Sequence, residues 1–192
     1  IEMLESEIEG DDLQEHIDGI KQQIKVSLNR ADTARNLEEV LDEGFEIPKR
    51  SVRLDSILRE KVEWARDEFD DAEFSFEELD KTEVIADEYL GKVFEILLEN
   101  AVTHNDKEKP VVEIGMENES GEVTLGIADN GKGVSDHEID LIFGREEVNQ
   151  IHHGQGISLY FCDMIVDKYD GEIWVEDNEP EGAVFKLTLQ KA

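Results

Sequence analysis

From Asp11 onward, Leu13, Ile17, Ile20, Ile24, Leu28, Ala31, Ala34, Leu37 and Leu41 recur at spacings of three and four. Such spacing lines one side of a single long helix. The pattern stops near Glu43-Gly44, and Pro48 bars its continuation. A lone helix of about 30 residues has no core of its own, so its apolar stripe must lie against something. A helical hairpin pairing with a second copy of the chain is the economical partner, and docking on the chain's own second half is the alternative. Before this helix, Ile1, Leu4 and Ile8 repeat the helical spacing until GDD interrupts it. Residues 1–47 therefore read as the remainder of a helical dimerisation hairpin, and residues 48–192 as a separate unit.

Beyond Pro48 the period changes. Ser51 to Leu54 reads as a short strand, Asp55 to Phe69 as a helix and Glu73 to Glu78 as an alternating strand. A helix is expected from Asp87 to Thr103, then strands at Val111 to Met116 and Glu122 to Ala128. A loop-rich stretch from Asp129 to Gly156 precedes a helix from Ile157 to Tyr169, and strands at Glu172 to Val175 and Ala183 to Leu189 follow. Paired strands with helices on one face give an α+β fold, a two-layer α/β sandwich.

Composition narrows the function classes. At 192 residues the chain suits one domain plus an appendage. No apolar run approaches the ~18 residues of a membrane span, and IEMLESEIEG lacks the basic flank of a secretory signal. Cytoplasmic placement is expected. The single cysteine, Cys162, excludes a disulfide framework and reads as a buried small hydrophobe. The net charge of −31 is spread as −8, −10, −8 and −5 over successive stretches of fifty residues, the last of 42. This even coat of carboxylates disfavours direct nucleic-acid binding and fits a salt-filled cytoplasm, where self-repulsion is screened.

Four short segments carry the chemistry. LLENAVTHN contains Asn100 and His104, IADNGKGV contains Asp129, Gly131, Lys132 and Gly133, DLIF contains Phe143, and HGQGISL contains Gly154, Gly156 and Ile157. In order and spacing these resemble the N, G1, F and G2 boxes of the ATP-binding fold shared by histidine kinases, gyrase-type topoisomerases, MutL-type repair proteins and heat-shock chaperones. The resemblance runs over roughly residues 50 to 190.

Its implications are specific. Asp129 would accept the adenine amino hydrogens while Gly131 and Gly133 let the backbone approach the ring. Asn100 would hold Mg²⁺ through its side-chain oxygen, and Gly154 and Gly156 would open the helix from Ile157, whose free N–H groups suit phosphate. His104, Lys132 and Phe143 belong to the same expected ATP site. The stretch between Gly133 and Gly154, anchored by Ile139, Leu141, Ile142 and Phe143, is expected to be a lid, with Arg145 either neutralising phosphate or simply solvated. His152 and His153, adjacent in a loop without a third ligand, make a poor metal pair.

Two departures matter. Ile96 stands one turn before Asn100, where hydrolytic relatives carry a glutamate base, and the flanking Glu95 and Glu99 point away from that position. Thr103 stands where a lysine or arginine often contacts phosphate in kinases.

The resemblance thus implies the ATP-binding portion of a sensor histidine kinase, using ATP and Mg²⁺. Its phosphoryl group would go to a histidine expected before Ile1 and then to a response-regulator receiver domain, within a homodimer formed through the helical hairpin. His16, in QEHIDGI, lacks the context of a phosphoacceptor and reads as a solvated helix residue, so the isolated chain should not phosphorylate itself. A conformational ATPase and a non-catalytic nucleotide-binding module are the alternatives.

Overall fold

The computed structural model describes residues 10–42, 48–76, 80–135, 138–139, 142–143 and 157–192. In chain order the elements are α1 (Gly10–Leu41), β1 (Arg50–Arg53), α2 (Leu54–Glu68), β2 (Glu73–Phe76), β3 (Glu83–Ala86) and α3 (Tyr89–Thr103). Then come β4 (Val111–Asn118), β5 (Glu122–Asp129), α4 (Ile157–Lys168), β6 (Ile173–Asp177) and β7 (Ala183–Gln190). Residues 1–9, where the preceding helix was expected, lie outside the described residues, as do Glu77 and Glu78.

Five strands form one sheet in the order β2-β4-β5-β7-β6, and β1 pairs with β3 in a separate two-stranded arm. β4, β5, β7 and β6 are antiparallel neighbours, whereas β2 runs parallel to β4. The alternation of β5 and β7 shows why this sheet is one-sided. Val123, Leu125, Ile127 and Asp129 are buried, as are Ala183, Phe185, Leu187 and Leu189, while the residues between them are half-exposed. A period of two sends each set to one face, and α2, α3 and α4 cover the apolar one. The result is the expected two-layer α+β sandwich.

Local chemistry sets the helix ends. Asp87 accepts the Tyr89 N–H at 3.0 Å at the start of α3, and its carboxylate also accepts the Tyr169 hydroxyl from the end of α4. That end closes as a Schellman motif, with Gly171 N–H to Val166 O at 3.0 Å, Asp170 N–H to Asp167 O at 2.9 Å, and Asp170 at φ 59°.

Strand β3 was not foreseen. It is four residues long, and its antiparallel partner β1 lies about thirty positions earlier, so no local turn signals the pairing. The stripe on α1 also differs from the expectation of one continuous face. Thr33, Leu37 and Val40 are buried, and Asn29 Nδ2 donates to Glu99 Oε1 of α3 at 3.2 Å. Ile17, Ile20, Ile24 and Leu28 are 39% to 60% exposed. At 100° per residue, Leu28 and Leu37 stand about 180° apart on the helix. The C-terminal end of α1 docks on its own chain, then, while the apolar residues before it face the opposite way. Among the described residues, no helix is long and apolar enough to cross a membrane.

Candidate functional site

Asp129 ends β5 at the rim of the sheet, and three segments converge on it. Its Oδ1 accepts the Gly131 N–H at 2.8 Å and the Ala183 N–H at 3.4 Å. Its backbone carbonyl accepts Nδ2 of Asn178 at 2.8 Å. Both described donors to the carboxylate fall on Oδ1, which leaves Oδ2 to accept from a ligand.

The glycines here answer to space. A Cβ on Gly131 would lie 3.0 Å from Asp129 Oδ1 and 3.2 Å from Asn105 Cγ. Gly133 has φ +75°, and Gly182, at φ +118°, would bring a Cβ to 1.9 Å from the Asp129 carbonyl. Only glycine tolerates both conditions at position 182.

The end of α3 is tied to the same turn. Asn105 Nδ2 donates to Asn130 Oδ1 at 3.0 Å, and Asn130 Oδ1 also accepts the Val111 N–H at 2.9 Å. Lys107 pairs with Glu181 at 2.6 Å, joining the loop after α3 to the loop between β6 and β7. Asn100 is half-buried in the last turn of α3, and its carbonyl accepts the N–H of His104, the exposed residue that ends the helix. Lys132 is exposed beside the buried Gly131.

Ile96 is only 4% exposed and belongs to the core. The flanking carboxylates are engaged elsewhere: Glu95 with Lys61 at 2.8 Å and Lys92 at 3.1 Å, Glu99 with Asn29. Burial pushes the Glu95 carboxyl up, but Lys61 and Lys92 together outweigh it and hold it below the ordinary range. Thr103 returns its hydroxyl to the Glu99 carbonyl at 2.8 Å.

Of the segment expected to form a lid, few residues are described. Ser135 Oγ and Glu138 Oε2 lie 2.6 Å apart and the Ser135 N–H donates to the same carboxylate at 3.2 Å, an arrangement like a capping box. Ile139 and Ile142 pack on the core. Phe143 is fully buried with its ring edge-on to Phe185 at 6.4 Å, so in this structure it serves as an anchor in the core. Ile157 opens α4 and is half-buried. Leu141, Arg145, His152, His153, Gly154 and Gly156 lie outside the described residues.

Burial is the main influence on the Asp129 carboxyl and raises its pKa from 3.8; the Gly131 and Ala183 N–H groups oppose this and Asp106 adds to it. The folded state therefore binds more protons than the unfolded one just above pH 3.8, and stability falls as pH rises through the folded pKa. Asp129→Asn keeps an acceptor for Gly131 without the charge. Calorimetry is expected to find it melting above wild type at neutral pH, with the gap closing as pH falls toward 3.8. A lower melting temperature at neutral pH would mean that the charged hydrogen bonds dominate.

Residues 86–192, more than half of the chain, match the family described as histidine kinase-, DNA gyrase B- and HSP90-like ATPase. The chain belongs to this ATPase family. Among its relatives are cyanobacterial phytochrome A of a Nostoc species, 34% identical over 103 residues, and a methyl sulfide methyltransferase-associated sensor of Methanosarcina acetivorans, 27% identical over 173. These alignments span 52% and 72% of this chain but only 14% and 17% of the two relatives.

Solved structures share the fold. The nucleotide-free catalytic domain of histidine kinase ThkA aligns over 76% of this chain and 97% of its own, with a TM-score of 0.65 and 23% identity. ThkA in complex with the response regulator TrrA covers all of this chain and 55% of its own, with a TM-score of 0.72 and 20% identity. Full-length ShkA in complex with AMPPNP covers 97% of this chain and 41% of its own, with a TM-score of 0.69 and 17% identity.

Within this ATPase-family site, sequence reading passed over Asn105, Asn130, Asn178, Gly182 and Ala183. Asn105 and Asn130 sit in Asn-containing turns, and NEPEG before β7 is an evident loop. Those signals mark turns without saying what the turns touch.

Proposed function

We propose that this chain is the ATP-binding, catalytic portion of a sensor histidine kinase, with residues 1–47 contributing to a helical dimerisation hairpin and residues 48–192 forming the ATP-binding domain. The observation that carries the reading is the Asp129 carboxylate, clasped through Oδ1 with Oδ2 left open, in a chain of this ATPase family. A carboxylate held this way suits the adenine amino group and repels the carbonyl that guanine carries at the same position.

The residues present fit Mg-ATP. Asn100, at the end of α3 and close in the chain to the Asn105–Asn130 tie, offers a neutral oxygen for Mg²⁺, which when bound supplies charge neutralisation across the phosphates. The first N–H groups of α4, from Ile157, suit phosphate oxygens, and His104 and Lys132 border the same end of the fold. Catalysis by this chain is then positioning of the γ-phosphate toward a histidine on a helical hairpin. A response-regulator receiver domain is the proposed next acceptor, in keeping with the ThkA–TrrA complex. The exposed Ile17, Ile20, Ile24 and Leu28 support a second copy of the chain as the partner of α1. A cytoplasmic location and a salt-rich cell complete the reading.

Hydrolysis is disfavoured because position 96 carries a buried alkyl chain and the neighbouring carboxylates are occupied by Lys61, Lys92 and Asn29. With radiolabelled Mg-ATP the chain alone is expected to stay unlabelled, whereas a supplied hairpin bearing the phosphoacceptor histidine gains acid-labile label. Label on His16, or phosphate release at the rate of a dedicated ATPase, would overturn the proposal.

A further inference from the structure

The hairpin between β6 and β7 contacts Asp129 in a way that the ladder alone does not require. Strand β5 pairs with β7 as far as Ala128 opposite Val184. Two residues before Val184, Gly182 turns away at φ +118°, and the Asp129 carbonyl is taken instead by the Asn178 side chain, 49 positions along the chain. The Asn178 backbone N–H donates to Gly182 O at 3.0 Å and closes the five-residue loop, so its side chain is held toward Asp129. Ala183, the residue after that loop, donates to the carboxylate itself. On the other side, Gly133 approaches Gly182 closely enough that a Cβ would lie 3.0 Å from the Gly182 carbonyl.

We propose that Asn178 is a positioning residue for nucleotide selection: its amide holds the Asp129 backbone so that Oδ2 meets the base at a fixed angle. This rests on the reading of Asp129 as the group that accepts from adenine. A base-reading hydrogen bond is sensitive to angle, and Asp129, paired with Val112 on the β4 side, lies one residue beyond the last β5–β7 pair, where the Asn178 amide restrains its carbonyl on the β7 side. Removal of that bond loosens the backbone that carries the carboxylate, and the Gly131 and Ala183 N–H groups on Oδ1 then fix the direction of Oδ2 less well. ATP affinity is lost, and GTP, which gains nothing from the carboxylate, is hardly affected.

The test is equilibrium binding of Mg-ATP and Mg-GTP to wild type, Asn178→Ala, Asn178→Asp and Asp129→Ala in the full 192-residue chain. Asn178→Asp keeps the shape of the side chain and replaces the donor with an acceptor, which covers the case in which alanine opens the hairpin. Wild type is expected to prefer ATP, and both Asn178 variants to lose about tenfold for ATP with little change for GTP. An unchanged ATP-to-GTP ratio, or equal losses for both nucleotides, would assign Asn178 to the loop alone and overturn the proposal. Wild type that fails to bind ATP, or Asp129→Ala that binds it undiminished, would overturn the reading of Asp129 and this inference with it.

Discussion

Asp129→Ala is expected to weaken Mg-ATP binding about 100-fold, since it removes a charged hydrogen bond that alone contributes roughly 1.5–3 kcal/mol. The substitution also frees the Gly131 and Ala183 N–H groups that now hold the turn through Oδ1, so the glycine segment loses its registration against the base. Asn100→Ala should weaken binding by a different route. Its loss belongs to the metal, so the difference in affinity between magnesium-containing and chelator-treated samples should shrink in Asn100→Ala and persist in Asp129→Ala. Titration calorimetry of the three proteins in both buffers separates the two effects. Equal affinity of wild type and Asp129→Ala would remove Asp129 from the site, and an unchanged magnesium dependence in Asn100→Ala would remove Asn100.

Thermal stability is expected to rise steeply, on the order of 10 °C, between dilute buffer and molar KCl. Two effects of salt oppose each other here. Exposed pairs such as Lys109–Glu73 and Arg66–Glu63 are weakened by screening, but each contributes only about 0–1 kcal/mol. Against them stands the surplus of 50 acidic residues over 19 lysines and arginines. Thirty-one charges on an idealised sphere of about 20 Å radius repel by roughly 100 kcal/mol in salt-free water. An expanded unfolded chain escapes much of this, so the folded state bears more of it. With a Debye length of about 3 Å at molar salt, most of the repulsion disappears and the loss of the ion pairs is small beside it. A melting temperature independent of KCl over that range would defeat the reading of the composition as an adaptation to salt.

Much of the fold was legible because it is written in local periods. The alternation in Glu122–Asp129 and Ala183–Gln190 announces two half-buried strands, and the three-and-four spacing from Leu90 to Ala101 announces α3. The expected boundaries fall within two residues of those observed for most described elements. The family was legible for the same reason, since Asn100, Asp129 and the glycines after it lie in short segments that can be read without knowing what they touch.

The sequence by itself determined the described elements other than β3, the two-layer class, the family and the excess charge, because each depends on residues close in the chain or on composition alone. Only the tertiary structure decided the strand order β2-β4-β5-β7-β6, the pairing of β1 with β3, the side of α1 that docks, and the hold of Asn178 on Asp129. Each of these joins residues tens of positions apart. Leu28 and Leu37 belong to one helical pattern, yet they face opposite ways because the half-turn that accumulates between them brings only one of them against the domain. Asn178 reads as a turn residue until the hairpin folds back over β5, and a side-chain amide then meets a carbonyl that no periodicity could have named.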